Sequence, residues 1–248
     1  MRVAALYDVH GNLPALEAVL GEVRRAGVDQ VVVGGDVLPG PMPRESLERL
    51  FGLDLPVRFL RGNGDRMVLE QRAGRESSEV PEPIRETLRW NARQLLPEDE
   101  ERIAGWPRTL RVEIPGLGDV LFCHATPRND TEIFTRLTPE DRLLPIFESA
   151  GAPLVVCGHT HMQFDRTIVK VRVVNAGSVG MPFQEPGAYW LLLGPGVELR
   201  RTDYDLAQAA ERIRATEYPQ AEDFAARNVL EPPSEAMMLE AFTPVELK

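Results

Sequence analysis

"RVAALYDVHGN", Arg2 to Asn12, sets the frame for the rest of the chain. Residues 2–7 are almost wholly apolar and read as a short buried strand, the kind a parallel sheet contains. The run stops at Asp8-Val9-His10, where a carboxylate and an imidazole stand two residues apart. On an extended backbone both project to the same side and can grip one cation. Beyond Asn12, "LPALEAVLGEVRRAG" carries apolar residues at helical spacing and closes on a glycine. "QVVVGGD" (30–36) is a second buried strand, "PRESLERLFG" (43–52) a second helix and "VRFLRGN" (57–63) a third strand. That alternation predicts a parallel sheet whose functional loops gather at the carboxyl ends of its strands.

From Arg66 to about Trp106 the pattern turns polar and helical, with "PIRETLRWNARQLL" the clearest helix. This segment, 66–106, reads as a helical insertion over one edge of the site. Strand-like stretches resume as "TLRVEI", "DVLFCHA", "LVVCGH", "FDRTIV", "VRVVNAG", "AYWLLLG" and "VELRRTDY". Their short connections imply antiparallel pairing, so the second half is expected to form a mixed or antiparallel sheet packed on the first. "LAQAAERIRA" and "EPPSEAMMLEAF", broken by Pro219, Pro232 and Pro233, read as surface helices. The expected organisation is one domain over 1–205 with a helical extension, 206–248, packed on it and available for homo-oligomer contact.

A chain of 248 residues, 43% apolar and 27% charged, can bury a core without disulfides or a structural metal, so any metal it binds is functional. Its net charge of −10 argues against generic nucleic-acid binding, and a small phosphorylated substrate would need a local positive site. No apolar run has the length of a membrane span, and the expected location is cytoplasmic. Cys123 and Cys157 lie inside apolar strands and read as buried thiols.

All four histidines fall in polar clusters that end strands: His10 in "YDVHGN", His124 in "FCHATP", His159 and His161 in "CGHTH". Asp36 ends the second strand and Asn63 the third. Oxygen and imidazole donors without a thiolate suit manganese, iron, zinc, nickel or magnesium. Seven such donors suffice for two ions if one carboxylate is shared.

The ordered series "DVH", "GGD", "GN", "H" and "GHTH", followed by "NAGSVG", resembles the signature of the calcineurin-like metallophosphoesterases over about residues 1–180. It is most similar to their small bacterial and archaeal YfcE-like phosphodiesterases. The resemblance implies an α/β (α+β) four-layer sandwich, two mixed sheets flanked by helices. It also implies two divalent metals: Asp8, His10 and His161 on one, Asn63, His124 and His159 on the other, Asp36 bridging. The reaction would be attack on a phosphoester by a hydroxide shared between the ions, with manganese the first metal to try.

One block departs from the pattern. Much of the family reads Gly-Asn-His there, the histidine serving as acid for the leaving group, whereas this chain reads Gly62-Asn63-Gly64-Asp65. Asp65 would be ionised beside two dications and is expected to orient a water in the space left at Gly64. If that space exists, Gly64→His or added imidazole would raise turnover. Arg66 and Arg128 are candidates for contact with phosphate, and Asn12 and Asn129 for donating to its oxygens. The expected activity is phosphodiester hydrolysis with Asp36, Asn63, Asp65 and His124 at its centre. A catalytically weak, metal-containing nucleotide or phosphate binder is the alternative. The second block, "GGDVLPGP", puts Leu38 and Pro39 where the protein serine/threonine phosphatases carry an arginine, which argues against that activity. Specificity would lie in the 66–106 segment and the C-terminal helices.

Overall fold

Alternation within single strands explains how the layers form. In the computed structural model, which describes residues 1–247, strand β1 (Val3–Leu6) sends Ala4 and Leu6 to one side. There they meet Val31 and Val33 of β2 (Gln30–Val33) and the apolar face of helix α1 (Leu13–Ala26), Leu16, Val19, Leu20 and Val23. Helix α2 (Pro43–Phe51) adds Leu47 and Leu50. Val3, Ala5 and Tyr7 point the other way, into a second core shared with a second sheet. Residues that are buried on both faces leave no register slip open to β1, because either face would lose its core.

The first sheet has the order β10-β9-β1-β2-β3, with β3 at Val57–Phe59, β9 at Ala188–Leu193 and β10 at Val197–Thr202. β1, β2 and β3 are parallel, as the strand-helix alternation predicted, while β9 runs antiparallel to β1 and β10 to β9. The second sheet has the order β4-β5-β6-β8-β7: β4 Thr109–Ile114, β5 Gly118–Cys123, β6 Leu154–Cys157, β7 Phe164–Ile168, β8 Val171–Asn175. It is mixed, with β5, β6 and β8 parallel and the two edges antiparallel. The expectation that every strand after the insertion joins the second sheet needs correcting. "AYWLLL" is buried along its whole length and completes the open edge of β1 instead.

Val112, Val120, Phe122, Val156 and Val174 fill the space between the sheets. The outer face of the second sheet, Leu121, Val155 and Val173, is covered by α6 (Glu140–Phe147) through Leu143, Ile146 and Phe147. The result is the expected sandwich of helices, sheet, sheet and helices. Cys123 and Cys157 are buried free thiols whose pKa values burial pushes up, so both serve as packing.

The 66–106 segment is helical: α3 (Asn63–Arg72), α4 (Glu82–Gln94) and α5 (Pro97–Ala104). At the C-terminus lie α7 (Leu206–Arg214), the short α8 (Ala221–Phe224) leading into a π-helical stretch, Ala225–Leu230, and α9 (Glu235–Phe242). Ala209, Ile213, Tyr218, Phe224 and Val229 form a small core with Leu13 and Met42, which fixes α7, α8 and the π-helical stretch against the start of α1 and the loop after β2. None of the described helices is long and apolar enough to cross a membrane.

Candidate metal centre and active site

The strand ends deliver their polar residues to one place. β1 ends at Asp8 and His10, β2 at Asp36, β5 at His124, β6 at His159 and His161, and Asn63 opens α3 just past β3. Five of these seven residues have left-handed backbones, with φ of 54° at Asp8, 45° at His10, 51° at Asp36, 68° at His159 and 57° at His161. Each such residue costs about 1–3 kcal/mol and persists only where its surroundings enforce it. Here the loops enforce it: Asp8 N–H donates to Gly35 O (3.1 Å) and His10 N–H to Asp36 O (3.0 Å). The Asp8 carbonyl accepts from Gly180 N–H (2.9 Å) and from the Ser178 hydroxyl (2.7 Å). Asn175 ties down the last loop, its amide donating to Gly158 O (2.7 Å) and Thr160 Oγ1 (3.0 Å).

Each imidazole is held from behind by a backbone carbonyl. Nδ1 of His10, His124 and His161 lies 3.1, 2.9 and 2.7 Å from the carbonyls of Pro39, Gly34 and Met181, and Nε2 of His159 lies 3.1 Å from that of Thr131. A carbonyl only accepts, so each of those ring nitrogens carries hydrogen. The opposite nitrogens, Nε2 of His10, His124 and His161 and Nδ1 of His159, therefore turn bare lone pairs inward when the rings are neutral. Two of them, on His10 and His161, face each other at 3.3 Å.

Carboxylate oxygens stand among these lone pairs. Asp36 Oδ2 is 3.8 Å from His10 Nε2 and 3.5 Å from His124 Nε2, between the two halves of the cluster. Asp8 Oδ1 is 3.4 Å from His161 Nε2 and has no hydrogen-bond partner among the described residues, although it is fully buried. The Asn63 amide reaches the same place: with its nitrogen turned inward it donates to His124 Nε2 (3.0 Å), His159 Nδ1 (3.0 Å) and the Asp130 carbonyl (3.1 Å), and turned over it offers its oxygen to a cation. Two imidazole lone pairs facing each other on His10 and His161, together with an orphaned buried carboxylate oxygen, are a donor set that divalent cations satisfy. The residues present thus fit the metals that the sequence pattern implies.

Without cations the charges settle among themselves. Burial resists charging His10, His124 and His159, but Asp36 and then Asp8 overcome it at His124 and lift its pKa to about 10. At His159 burial, reinforced by His124, pushes the pKa down to about 4, and His10 is lowered by burial and by His161. Burial acts against ionisation of the two aspartates, yet His124 and His10 hold Asp36 well below the usual carboxylate range, and His161 lowers Asp8.

Gly64 and Asp65 differ from expectation. A Cβ at Gly64 would stand 2.3 Å from the Leu38 carbonyl oxygen and 2.9 Å from the Pro39 ring, so the turn after Asp36 fills the space assigned to a water or an acid. Gly64 N–H donates to Asp36 Oδ1 (2.7 Å) and steadies that carboxylate. Asp65, fully buried, accepts from three main-chain N–H groups: Asp36 (2.8 Å), Leu38 (3.0 Å) and Gly62 (3.0 Å). Burial and Asp36 push its pKa up to about 7 against the pull of the Gly62 and Leu38 donors. It braces two ligand loops, and both its oxygens are engaged.

The four residues expected to touch phosphate have other partners. Asn12 is buried as the N-cap of α1, accepting from Ala15 N–H (3.2 Å) and donating to Gly180 O (2.9 Å). Arg66 pairs with Asp130 (2.8 Å) and Glu70 (3.2 Å), and Arg128 with Glu132 (2.6 Å). The Asn129 side chain accepts from Thr131 and Glu132 N–H (2.6 and 3.1 Å) and closes its own loop. The carbonyls of Gly34, Pro39, Thr131, Met181 and Asp130 were missed from sequence, because a main-chain oxygen has no residue signature.

The cluster opens into a cavity of about 500 Å³, with His10, Asp36, Asn63 and Gly64 in its wall. The remaining wall comes from α3, α4, residues 181–183 and the C-terminal helices.

A model of the calcineurin-like phosphoesterase superfamily domain matches residues 1–193. An uncharacterized protein of Methanocaldococcus jannaschii is 27% identical over 239 residues, which cover 88% of this chain and 94% of that protein. The crystal structure of a hypothetical protein from Pyrococcus horikoshii superposes with a TM-score of 0.79 at 22% identity, over 94% of this chain and 99% of that one. A metallophosphoesterase from Sphaerobacter thermophilus gives a TM-score of 0.71 at 27% identity, over 92% and 99%. At that coverage the likeness takes in helices of the 66–106 segment and of the C-terminal extension as well as the sandwich.

Proposed function

The chain belongs to the calcineurin-like phosphoesterase superfamily, and we propose that it cleaves phosphodiesters whose leaving group departs without a proton from a protein side chain. Membership supports a hydrolase of phosphoric esters that works with divalent metal ions. The observation that carries the reading is the arrangement of four carbonyl-braced imidazoles with Asp8, Asp36 and Asn63 at the mouth of a cavity.

Divalent cations held there supply positive charge against the phosphoryl oxygens and acidify a water molecule toward neutral pH. Manganese is the ion to try first, and two sites are proposed: Asp8, His10 and His161 at one, Asn63, His124 and His159 at the other, with Asp36 between them. The chain's own part is to fix these donors. Gly64 N–H orients Asp36, Asp65 holds the Asp36 loop to the start of α3, and the four carbonyls keep the ring lone pairs inward. Against an acidic surface, the site would be the local positive centre for a phosphorylated substrate.

No described side chain stands at position 64 to give a proton, and Asp65 is turned into the main chain. A positioned acid is worth about 10²–10⁴-fold, so its absence weighs on alkoxide leaving groups far more than on phenolates. The test is hydrolysis of bis-p-nitrophenyl phosphate with manganese, beside methyl esters of alkyl phosphates. Rapid cleavage of the aryl diester, at least about 100-fold slower cleavage in Asp36→Asn and His124→Ala, and little cleavage of alkyl diesters are expected. Equal rates on aryl and alkyl diesters would overturn the leaving-group proposal. Equal rates in wild type and both variants would favour a metal-containing phosphate binder.

A further inference from the structure

The cavity beside the metal centre carries information on the rest of the substrate. Its volume, about 500 Å³, lies inside the range of about 300–1,000 Å³ that encloses an organic group of drug size. One end is His10, Asp36 and Asn63; the walls are mostly apolar. Met67, Ile84 and Leu88 come from α3 and α4, and Phe183, Phe224 and Met238 face them from the far half of the sequence. Phe183 stacks on His161 with ring centroids 4.7 Å apart, so an apolar surface begins directly behind a metal-type ligand.

Several polar side chains in the same wall are already engaged with it. Thr87 donates its hydroxyl to Ile84 O (2.8 Å), Gln220 its amide to Pro83 O (3.0 Å), and Asp223 pairs with Arg227 (3.1 Å). Arg227, which keeps donors beyond its Asp223 pair, and Asn228, whose side chain has no hydrogen bond among the described residues, are polar groups left beside an otherwise apolar wall. Ile84, in contrast, remains 45% exposed in this concave wall. An exposed large apolar residue inside an apolar pocket gains when something apolar covers it.

We infer that the substrate is a phosphodiester whose second ester group is apolar and of aryl or comparable bulk, seated under α4 and the C-terminal helices. The inference rests on the phosphoester hydrolase reading and adds the substrate class. Apolar contact favours such a group over methyl because it removes more apolar surface from water, and even one methylene in a fitted pocket is worth about tenfold or more.

The experiment uses three diesters that share p-nitrophenol as leaving group and differ in the second group: methyl, 2-naphthylmethyl and 5′-thymidyl. With manganese present, kcat/KM for the naphthylmethyl ester is expected to exceed that for the methyl ester by at least about tenfold, mainly through KM. Ile84→Glu is expected to cut that ratio at least fivefold. Met237→Glu, next to the lining residue Met238 in sequence but outside the wall and 63% exposed, is the control for added charge and keeps the ratio. A ratio within twofold of one, or one unmoved by Ile84→Glu, overturns the inference. So does a thymidyl ester preferred tenfold over the naphthylmethyl ester, which would assign the pocket to a polar group. Should none of the three be cleaved, the hydrolase reading fails and the pocket is judged by binding alone. Fluorescence titration of 2-naphthylmethyl phosphate, competed with methyl phosphate, must then still show at least tenfold tighter binding of the naphthyl compound, weakened in Ile84→Glu.

Discussion

At position 64 the nearest atoms to an added Cβ would be the Leu38 carbonyl oxygen at 2.3 Å and the Pro39 ring at 2.9 Å. Gly64 and the "LPGP" turn after Asp36 are therefore two halves of one contact. Gly64 stands where much of the family has histidine, and Leu38 and Pro39 stand where the protein serine/threonine phosphatases have an arginine; each is legible in sequence, but their dependence on one another is not, because it arises only when the ends of β2 and β3 lie side by side. The loss of the histidine is thus not an empty slot awaiting a replacement. Gly64→Ala is expected to destabilise the protein by about 1–3 kcal/mol through overpacking against main chain, measured by urea denaturation. Gly64→His is expected to lower turnover of alkyl esters rather than raise it, and imidazole to give no rescue. A Gly64→Ala variant of unchanged stability, or faster turnover in Gly64→His, would show that the turn yields easily and that the contact does not explain the glycine.

The loops that end the strands were the most legible elements, since Asp8, His10, Asp36, Asn63, His124, His159 and His161 announce themselves by residue type and position. Their supports were not. Asp65 reads in sequence as the group that orients a water, but it ties Asp36, Leu38 and Gly62 N–H groups together and so fastens the β2 loop to the start of α3. Removing it in Asp65→Ala leaves three buried donors without a partner, at about 1–3 kcal/mol each, partly relieved by water. A loss of at least about 3 kcal/mol is expected in chemical denaturation of the metal-free protein, where lost metal affinity cannot contribute. Asp65→Asn, which keeps one acceptor, is expected to fall between. A loss below about 1 kcal/mol in Asp65→Ala would deny the brace. Elements that broke local rules escaped the sequence reading: α6 contains Pro145, and Ala221–Leu230 passes from a four-residue helix into a π-helical stretch. Neither has a clean 3.6-residue pattern.

For the whole molecule, the parallel half of the first sheet and the mixed second sheet followed from strand spacing, whereas β9 and β10 crossed to the first sheet because β1 had an open edge. That choice depends on which edge is vacant in three dimensions, and strand patterns do not record it. The resulting sandwich places two buried aspartates and four imidazoles together in a chain of net charge −10, so protons stand in for cations when no metal is bound. His124, ordinarily near 6.5, is raised to about 10 by Asp36 and Asp8 against burial. Its contribution to the metal-free fold is present in full below about pH 6.5 and is lost as pH rises through about 10. His159, depressed to about 4, acts in the opposite sense: its contribution is present above about pH 6.5 and is lost as pH falls toward 4. Asp65, raised to about 7, opposes His159: its contribution is present below the usual carboxylate range and is lost as pH rises through about 7, so the metal-free protein is expected to lose stability as pH rises from about 7 to 10. A divalent cation needs the His124 lone pair, so loading at pH 7 must expel the proton held there. Calorimetric titration with manganese in buffers of different ionisation enthalpy is expected to show release of about one proton per chain, with affinity rising toward pH 9. Heats that are independent of the buffer would mean that His124 is already neutral, and that the carboxylates share their charge with another group.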